Sequence, residues 1–77
     1  MDIKTKIGIR IKELREVKKM SQKELSYSSD LDRSYIASVE NGKRNISIVN
    51  IEKIAKALDI TLKDFFNNDK FENTTTD

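Results

Sequence analysis

The stretch that most constrains this chain is "LDRSYIASVENGKRNIS", residues 31–47, because it admits two folds that lead to different molecules. Asn41-Gly42 sits between runs rich in β-branched and aromatic residues, which is a strong hairpin signal. The same dipeptide also closes helices, since both residues tolerate the left-handed conformation a helix end needs. As a hairpin, Tyr35, Ala37 and Val39 alternate on one strand, and Ile46 and Ile48 on the other. That ribbon would stand alone in an otherwise helical chain, and isolated two-stranded ribbons are marginal in water. As a helix of about 100° per residue, Ile36, Val39 and Glu40 share one face. Ser34 and Ser38 then point the opposite way, with Ala37 and Asn41 beside them. The helical period accounts for more residues, so the segment is read as a helix from Arg33 to about Asn41, stopped by Asn41 or Gly42.

The remaining segments are also helical in pattern. In "KIGIRIKELREVKKM" the residues Ile7, Ile11 and Leu14 form one apolar stripe, giving a first helix from about Thr5 to Lys18. Ser21 with Glu24 three residues on is a capping box, so a second helix starts at Gln22. It must be short, because "SYSSDLD" beyond Leu25 has no apolar period and is rich in turn formers. Asp32 is expected to cap the third helix with its carboxylate. Ser47 caps a fourth, whose core-facing residues are Ile48, Ile51, Ile54, Ala55 and Leu58. Thr61 followed by Asp64 repeats the capping logic ahead of Phe65 and Phe66. The spacing thus predicts an all-α chain, a compact five-helix bundle over residues 1–67, with a polar, flexible tail at 68–77. Leu25, Leu31, Ile36 and Val39 would pin the second and third helices together and leave a small, polar face of the third exposed. That is the pattern of a helix-turn-helix, whose second helix enters the major groove.

Composition narrows the chemistry. The 77 residues contain no cysteine and no histidine, which removes thiolate metal sites, disulfides and the commonest general base. An enzyme is therefore not expected, nor a metal or other cofactor. Asp30, Asp32 and Glu40 are clustered carboxylates, but capping and ion pairing explain two of them and no nucleophile-activating partner is visible. No apolar run reaches the roughly 18–20 residues of a membrane span, and the N-terminus lacks a signal-peptide pattern, so a soluble, cytoplasmic protein is expected. The net charge of +2 is unevenly placed: residues 1–23 hold eight Lys or Arg against three acids, residues 24–77 seven against ten. A basic N-terminal third suits a polyanion, though a solvated helix face gives the same pattern.

Several motifs carry a family resemblance. Ser-Gln-x-Glu-Leu at 21–25, the Ile36-x-x-Val39-Glu40-Asn41-Gly42-Lys43 closure and "IEKIAKALDITLKDFF" together resemble the helix-turn-helix of the phage repressor and Cro (Xre) superfamily, from about Lys4 to Phe66. Within it, "LDRSYIASVENGKRNIS" is most similar to the controller proteins of restriction-modification systems. In these the helix commonly opens Asp-Arg-Thr-Tyr-Ile and is followed by an Arg-Asn pair; here Ser34 stands for the Thr, and Arg44-Asn45 match the pair. Two residues depart from the pattern. Asp30 takes a turn position where many members carry glycine, and Ser29 replaces a usually apolar residue, which should loosen the second helix.

The resemblance implies roles for individual residues. Gln22 matches a position whose amide contacts a phosphate, the alternative being an ordinary solvated side chain. Arg33 is the candidate for bidentate reading of guanine, although its helical angle lies nearer the inner edge than that of Ser34; a phosphate contact or pairing with Asp32 is the alternative. Ser34 and Ser38 would lie against base edges, discriminating little by themselves. Tyr35 would position the helix on the backbone, or else pack its ring on the second helix. Lys43, Arg44 and Asn45 would hold the sugar-phosphate backbone. Glu40, on the inward face, would form a structural ion pair with Arg15. Ile46, Val49 and Phe65 or Phe66 are candidates for the patch of a twofold dimer, unless they simply complete a small core.

The expected function is a dimeric, sequence-specific regulator that binds inverted-repeat half-sites on double-stranded DNA about 34 Å apart. Its partners would be the operator duplex, a second copy of the chain and, where binding activates, RNA polymerase. An antitoxin or phage-type repressor would share every one of these features. A protein-interaction adaptor of the same fold would differ in showing no salt-dependent binding to any duplex.

Overall fold

A computed structural model of the chain describes residues 1–72. Its elements are α1 (Ile3–Val17), α2 (Gln22–Ser29), α3 (Arg33–Glu40), α4 (Ile48–Ala57), α5 (Leu62–Phe66) and a 3₁₀ turn (Asp69–Phe71). Among the described residues there is no strand, and Asn41-Gly42 is a helix stop. Among the same residues no helix is long and apolar enough to cross a membrane.

Side-chain caps start four of the five α-helices. Asp2 accepts from the Thr5 N–H and starts α1 two residues before the apolar stripe suggested. Ser21 and Glu24 form the full reciprocal capping box. Ser47 and Thr61 accept from the N–H groups of Asn50 and Asp64. The exception is α3. Asp32 has the extended backbone of an N-cap, but its carboxylate makes no cap bond, contrary to expectation.

The helix ends share one device. With no proline and only two glycines, α1, α2, α3 and α4 close through a left-handed residue: Lys19, Asp30, Gly42 and Asp59, with φ between 58° and 74°. In each case the following N–H reaches back five residues, from Met20 to Arg15, Leu31 to Ser26, Lys43 to Ser38 and Ile60 to Ala55. This pairing satisfies carbonyls the helix leaves open. Met20, Leu31 and Ile60 then tuck against the core, so the turns of α1, α2 and α4 are held by burial as well as by their bonds. Asp30 adopts the strained turn conformation in place of glycine, a cost that burial of Leu31 offsets.

The core comprises Ile7, Ile11, Leu25, Ile36, Val39, Ile51, Ile54, Leu58 and Phe65. Burying each such side chain contributes about 1.5–3 kcal/mol. Helix α3 packs on both α1 and α2. The α1–α3 approach is close because Gly8 faces the end of α3: a Cβ there would lie 2.3 Å from the Val39 carbonyl oxygen and 2.7 Å from that of Glu40.

Four expectations about packing need correction. Ile48, assigned to the core stripe, is 63% exposed as the first residue of α4, and the buried face of that helix begins at Ile51. Phe65 is completely buried. Ser29 is buried without leaving a polar orphan, since its hydroxyl donates to the Leu25 carbonyl at 2.7 Å. The polar tail does not begin at residue 68: Phe71 packs on the core and stacks edge-on to Phe66, and Lys70 bridges Glu13 and Asn68. The expected flexibility of 73–77 lies outside the described residues.

Candidate nucleic-acid interface

The buried face of α3 carries Ile36, Val39 and Glu40, which fixes what the opposite face can present. Arg33 and Ser34 are exposed, and Ala37 and Ser38 half-buried beside them. The small side chains leave the helix backbone close to the surface along this strip. Arg33 is engaged in neither of the two ion pairs among the described residues, so the expected alternative of pairing with Asp32 does not occur.

Beyond Glu40 the chain turns at Gly42, whose φ of +74° suits glycine; a Cβ there would also meet the Thr5 hydroxyl oxygen at 2.9 Å. Glycine thus serves both the turn and the close seat of the loop on the start of α1. Lys43, Arg44 and Asn45 follow, all exposed. The α3 strip and this basic loop meet at Arg44, which lies over Tyr35 and shares a cleft with Ser34.

Three helices are tied beneath that surface by one carboxylate. Arg15 Nε and Nη2 donate to the two Glu40 oxygens at 2.8 and 3.0 Å, and Arg15 Nη1 donates to the Met20 carbonyl at 2.9 Å. Gln22 Nε2 adds a bond to Glu40 Oε1 at 3.0 Å. The Glu40 side chain is 2% exposed. Its hydrogen bond raises the Arg15 pKa above the ordinary guanidinium value, so Arg15 stays charged. Here α1, α2 and α3 are joined through Arg15, Gln22 and Glu40, as expected for the first and last of these. The role of Gln22 is altered: it is half-buried, and one N–H of its amide is committed to Glu40.

Tyr35 is held from two sides. Its ring packs on the core, the Arg44 guanidinium lies over it at 5.1 Å from the centroid, and Asn50 Nδ2 donates to its hydroxyl at 3.0 Å. Asn50 was not legible as a site residue; it stands 15 positions away on α4, and no local pattern links the two. Asp30, Leu31, Asp32, Ser34, Tyr35, Arg44 and Asn50 line one shallow cleft at this end of α3.

The carboxylates suspected of clustering do not converge. Glu40 is consumed by Arg15 and Gln22, and among the described residues no group of three or more His, Cys, Asp or Glu is arranged to hold a metal ion.

The apolar candidates separate. Ile46 and Phe66 line a groove with Ile3, Lys4, Ile7, Asn45 and Ile51, and Val49 is 59% exposed. Phe65 has no surface to offer a partner chain and drops out of the expected interface. Ile3, 59% exposed, joins the groove unanticipated because the first helix was expected to start at Thr5.

The helix-turn-helix family model matches residues 11–65. The control protein C.MunI of Mycoplasma sp is 50% identical over 66 residues, spanning 84% of this chain and 89% of its own. The crystal structure of the restriction-modification controller protein C.AhdI from Aeromonas hydrophila matches with a TM-score of 0.79 and 51% identity, covering 82% of this chain and 96% of that one. The chain belongs to the helix-turn-helix controller proteins. Another controller protein, C.Esp1396I, has been solved as a tetramer in complex with its natural 35 base-pair operator; it is 38% identical with a TM-score of 0.81, covering 86% of this chain and 87% of that one. Against this controller-protein frame, α2 and α3 are the helix-turn-helix and Asp30 is the left-handed residue of its turn.

Proposed function

We propose that this controller protein is a dimeric, sequence-specific double-stranded DNA-binding transcriptional regulator of a restriction-modification system, reading inverted-repeat half-sites with α3. The observation that carries the reading is the meeting of the exposed α3 strip with the basic loop at 43–45, above a core that leaves α3 no other outward face. The operator complex of C.Esp1396I supports it by similarity.

The two halves of that surface divide the work. Arg33 forks onto a guanine, with Ser34 and Ser38 against neighbouring base edges. Lys43, Arg44 and Asn45 grip the sugar-phosphate backbone, and Tyr35 positions the helix against it. Gln22 reaches a phosphate with the amide hydrogen that Glu40 does not use. Dimerisation through Ile46, Val49 and Phe66 places two α3 helices on half-sites about one turn apart. The protein acts in the cytoplasm, contacts RNA polymerase where binding activates, needs no cofactor and carries out no catalysis.

Selection of bound duplexes from a random pool at two salt concentrations tests this reading. The expected result is an inverted-repeat consensus whose affinity falls steeply with salt. Binding without consensus and without salt dependence would instead mark a protein-interaction adaptor.

A further inference from the structure

The Tyr35 hydroxyl is a polar atom of α3 that is bonded from α4, outside the two helices of the helix-turn-helix. We propose that Asn50, on α4 and outside the helix-turn-helix, is a positioning residue that commits Tyr35 to donate its hydroxyl proton to the DNA backbone. The inference rests on the DNA-binding reading above and specifies a residue that acts through another.

A phenol oxygen carries one hydrogen and can also accept. Asn50 Nδ2 is a donor only, and it occupies the oxygen at 3.0 Å. The phenol proton therefore points away from Asn50. Toward it the DNA backbone presents only acceptor oxygens, so this polarity is the one a phosphate requires. A hydroxyl that accepts a hydrogen bond also donates a stronger one. Asn50 is itself fixed: it is half-buried in the first turn of α4, with its backbone N–H on Ser47 Oγ at 3.1 Å. The same contact holds the ring that supports Arg44, 5.1 Å above it. Asp30 and Asp32 line the cleft as well, and their charge opposes a phosphate there, which leaves the backbone contact to the phenol proton and Arg44.

The test is a double-mutant cycle on operator affinity, using the full chain and a duplex selected as above. Tyr35→Phe keeps the ring under Arg44 and removes only the hydroxyl, and should weaken binding about five- to tenfold. Asn50→Ala should weaken it about fivefold in the native background and leave Tyr35→Phe unchanged, since no hydroxyl then remains to orient. Asn50→Asp replaces the donor by an acceptor that captures the phenol proton. It should bind more weakly than Asn50→Ala and yet melt no lower, because an acid is favoured in the first turn of a helix. Should Asn50→Ala fail to fold, Asn50→Asp carries the same cycle. In the Tyr35→Phe background its loss should shrink to a salt-screened remainder.

Equal losses from Asn50 substitution with and without the hydroxyl would overturn the positioning role while native binding persists. Absence of any duplex binding by the native chain would overturn the regulator reading first and this inference with it.

Discussion

Replacing Gly8 by alanine should destabilise the protein even though alanine is the better helix former. In an open helix the exchange gains about 1 kcal/mol. Here the added carbon would sit 2.3 Å from the Val39 oxygen and 2.7 Å from the Glu40 oxygen, where roughly 3.3 Å is needed, so α1 and α3 must part by close to 1 Å. Overpacking costs about 1–3 kcal/mol when neighbours can give way. These neighbours are backbone. The Val39 carbonyl accepts the Gly42 N–H at 3.0 Å, the bond that closes α3, and Glu40 is held in the Arg15 fork. Relief therefore stretches the helix end or the ion pair, and the cost belongs at the upper end of that range. The net loss is about 2 kcal/mol, a large part of the 5–15 kcal/mol typical of a domain. Urea unfolding followed by circular dichroism measures it. With a slope of about 1 kcal/mol per molar urea for so small a chain, the midpoint should fall by roughly 2 M. A midpoint equal to or above that of the native chain would refute the close-approach argument and leave Gly8 without a structural reason.

Further expectations follow from the other contacts. Arg15→Met leaves a buried, unpaired carboxylate and should cost about 3–5 kcal/mol; adding Glu40→Leu should recover part of that loss, and urea midpoints of the single and double variants decide it. Glu24 is held below its usual value of 4.5 chiefly by the Ser21 backbone N–H, and Asp2 below 3.8 by that of Thr5. Both carboxylates have depressed folded-state pKa values, so the stability they add is present above the unfolded values and lost as pH falls through the folded ones. Midpoints should therefore drop as pH falls below these ordinary values of 4.5 and 3.8, and Glu24→Gln, which keeps an acceptor but cannot titrate, should flatten that drop. Lys19→Gly and Asp59→Gly relieve left-handed backbone and should each raise stability by about 0.5–1 kcal/mol, measurable as a higher melting temperature; no gain would mean the buried neighbours already hold these turns without strain.

The helix starts were legible because caps are local: Ser21, Ser47 and Thr61 each bond an N–H three residues on, within one turn of sequence. The end of α1 was placed to within a residue, but a left-handed stop was marked only at Gly42 and, through the resemblance, at Asp30. Lys19 and Asp59 take the same conformation with no sequence mark, since burial of Met20 and Ile60 drives them there. Periodicity named the face of α4 but not its limit, which is why Ile48 was placed inside. Phe65 and Phe66 point about 100° apart on a helix, and only the packing of α5 on α4 decides that Phe65 is the buried one. At the candidate site, α3 and its basic loop were readable from the pattern around Asn41-Gly42. The links from Gln22 to Glu40 and from Asn50 to Tyr35 were not, because each joins residues far apart in sequence through atoms that only the folded helices bring together.

The division of labour on either side of Gly42 is best tested by the ratio of affinities for the selected operator and for an unrelated duplex, measured across salt for Arg33→Ala and Lys43→Ala. Arg33→Ala should lower that ratio by about 1–3 kcal/mol at one guanine. Lys43→Ala should weaken both duplexes alike and reduce the salt slope by about one. If Arg33→Ala left the ratio intact while Lys43→Ala collapsed it, α3 would not be the element that reads the bases.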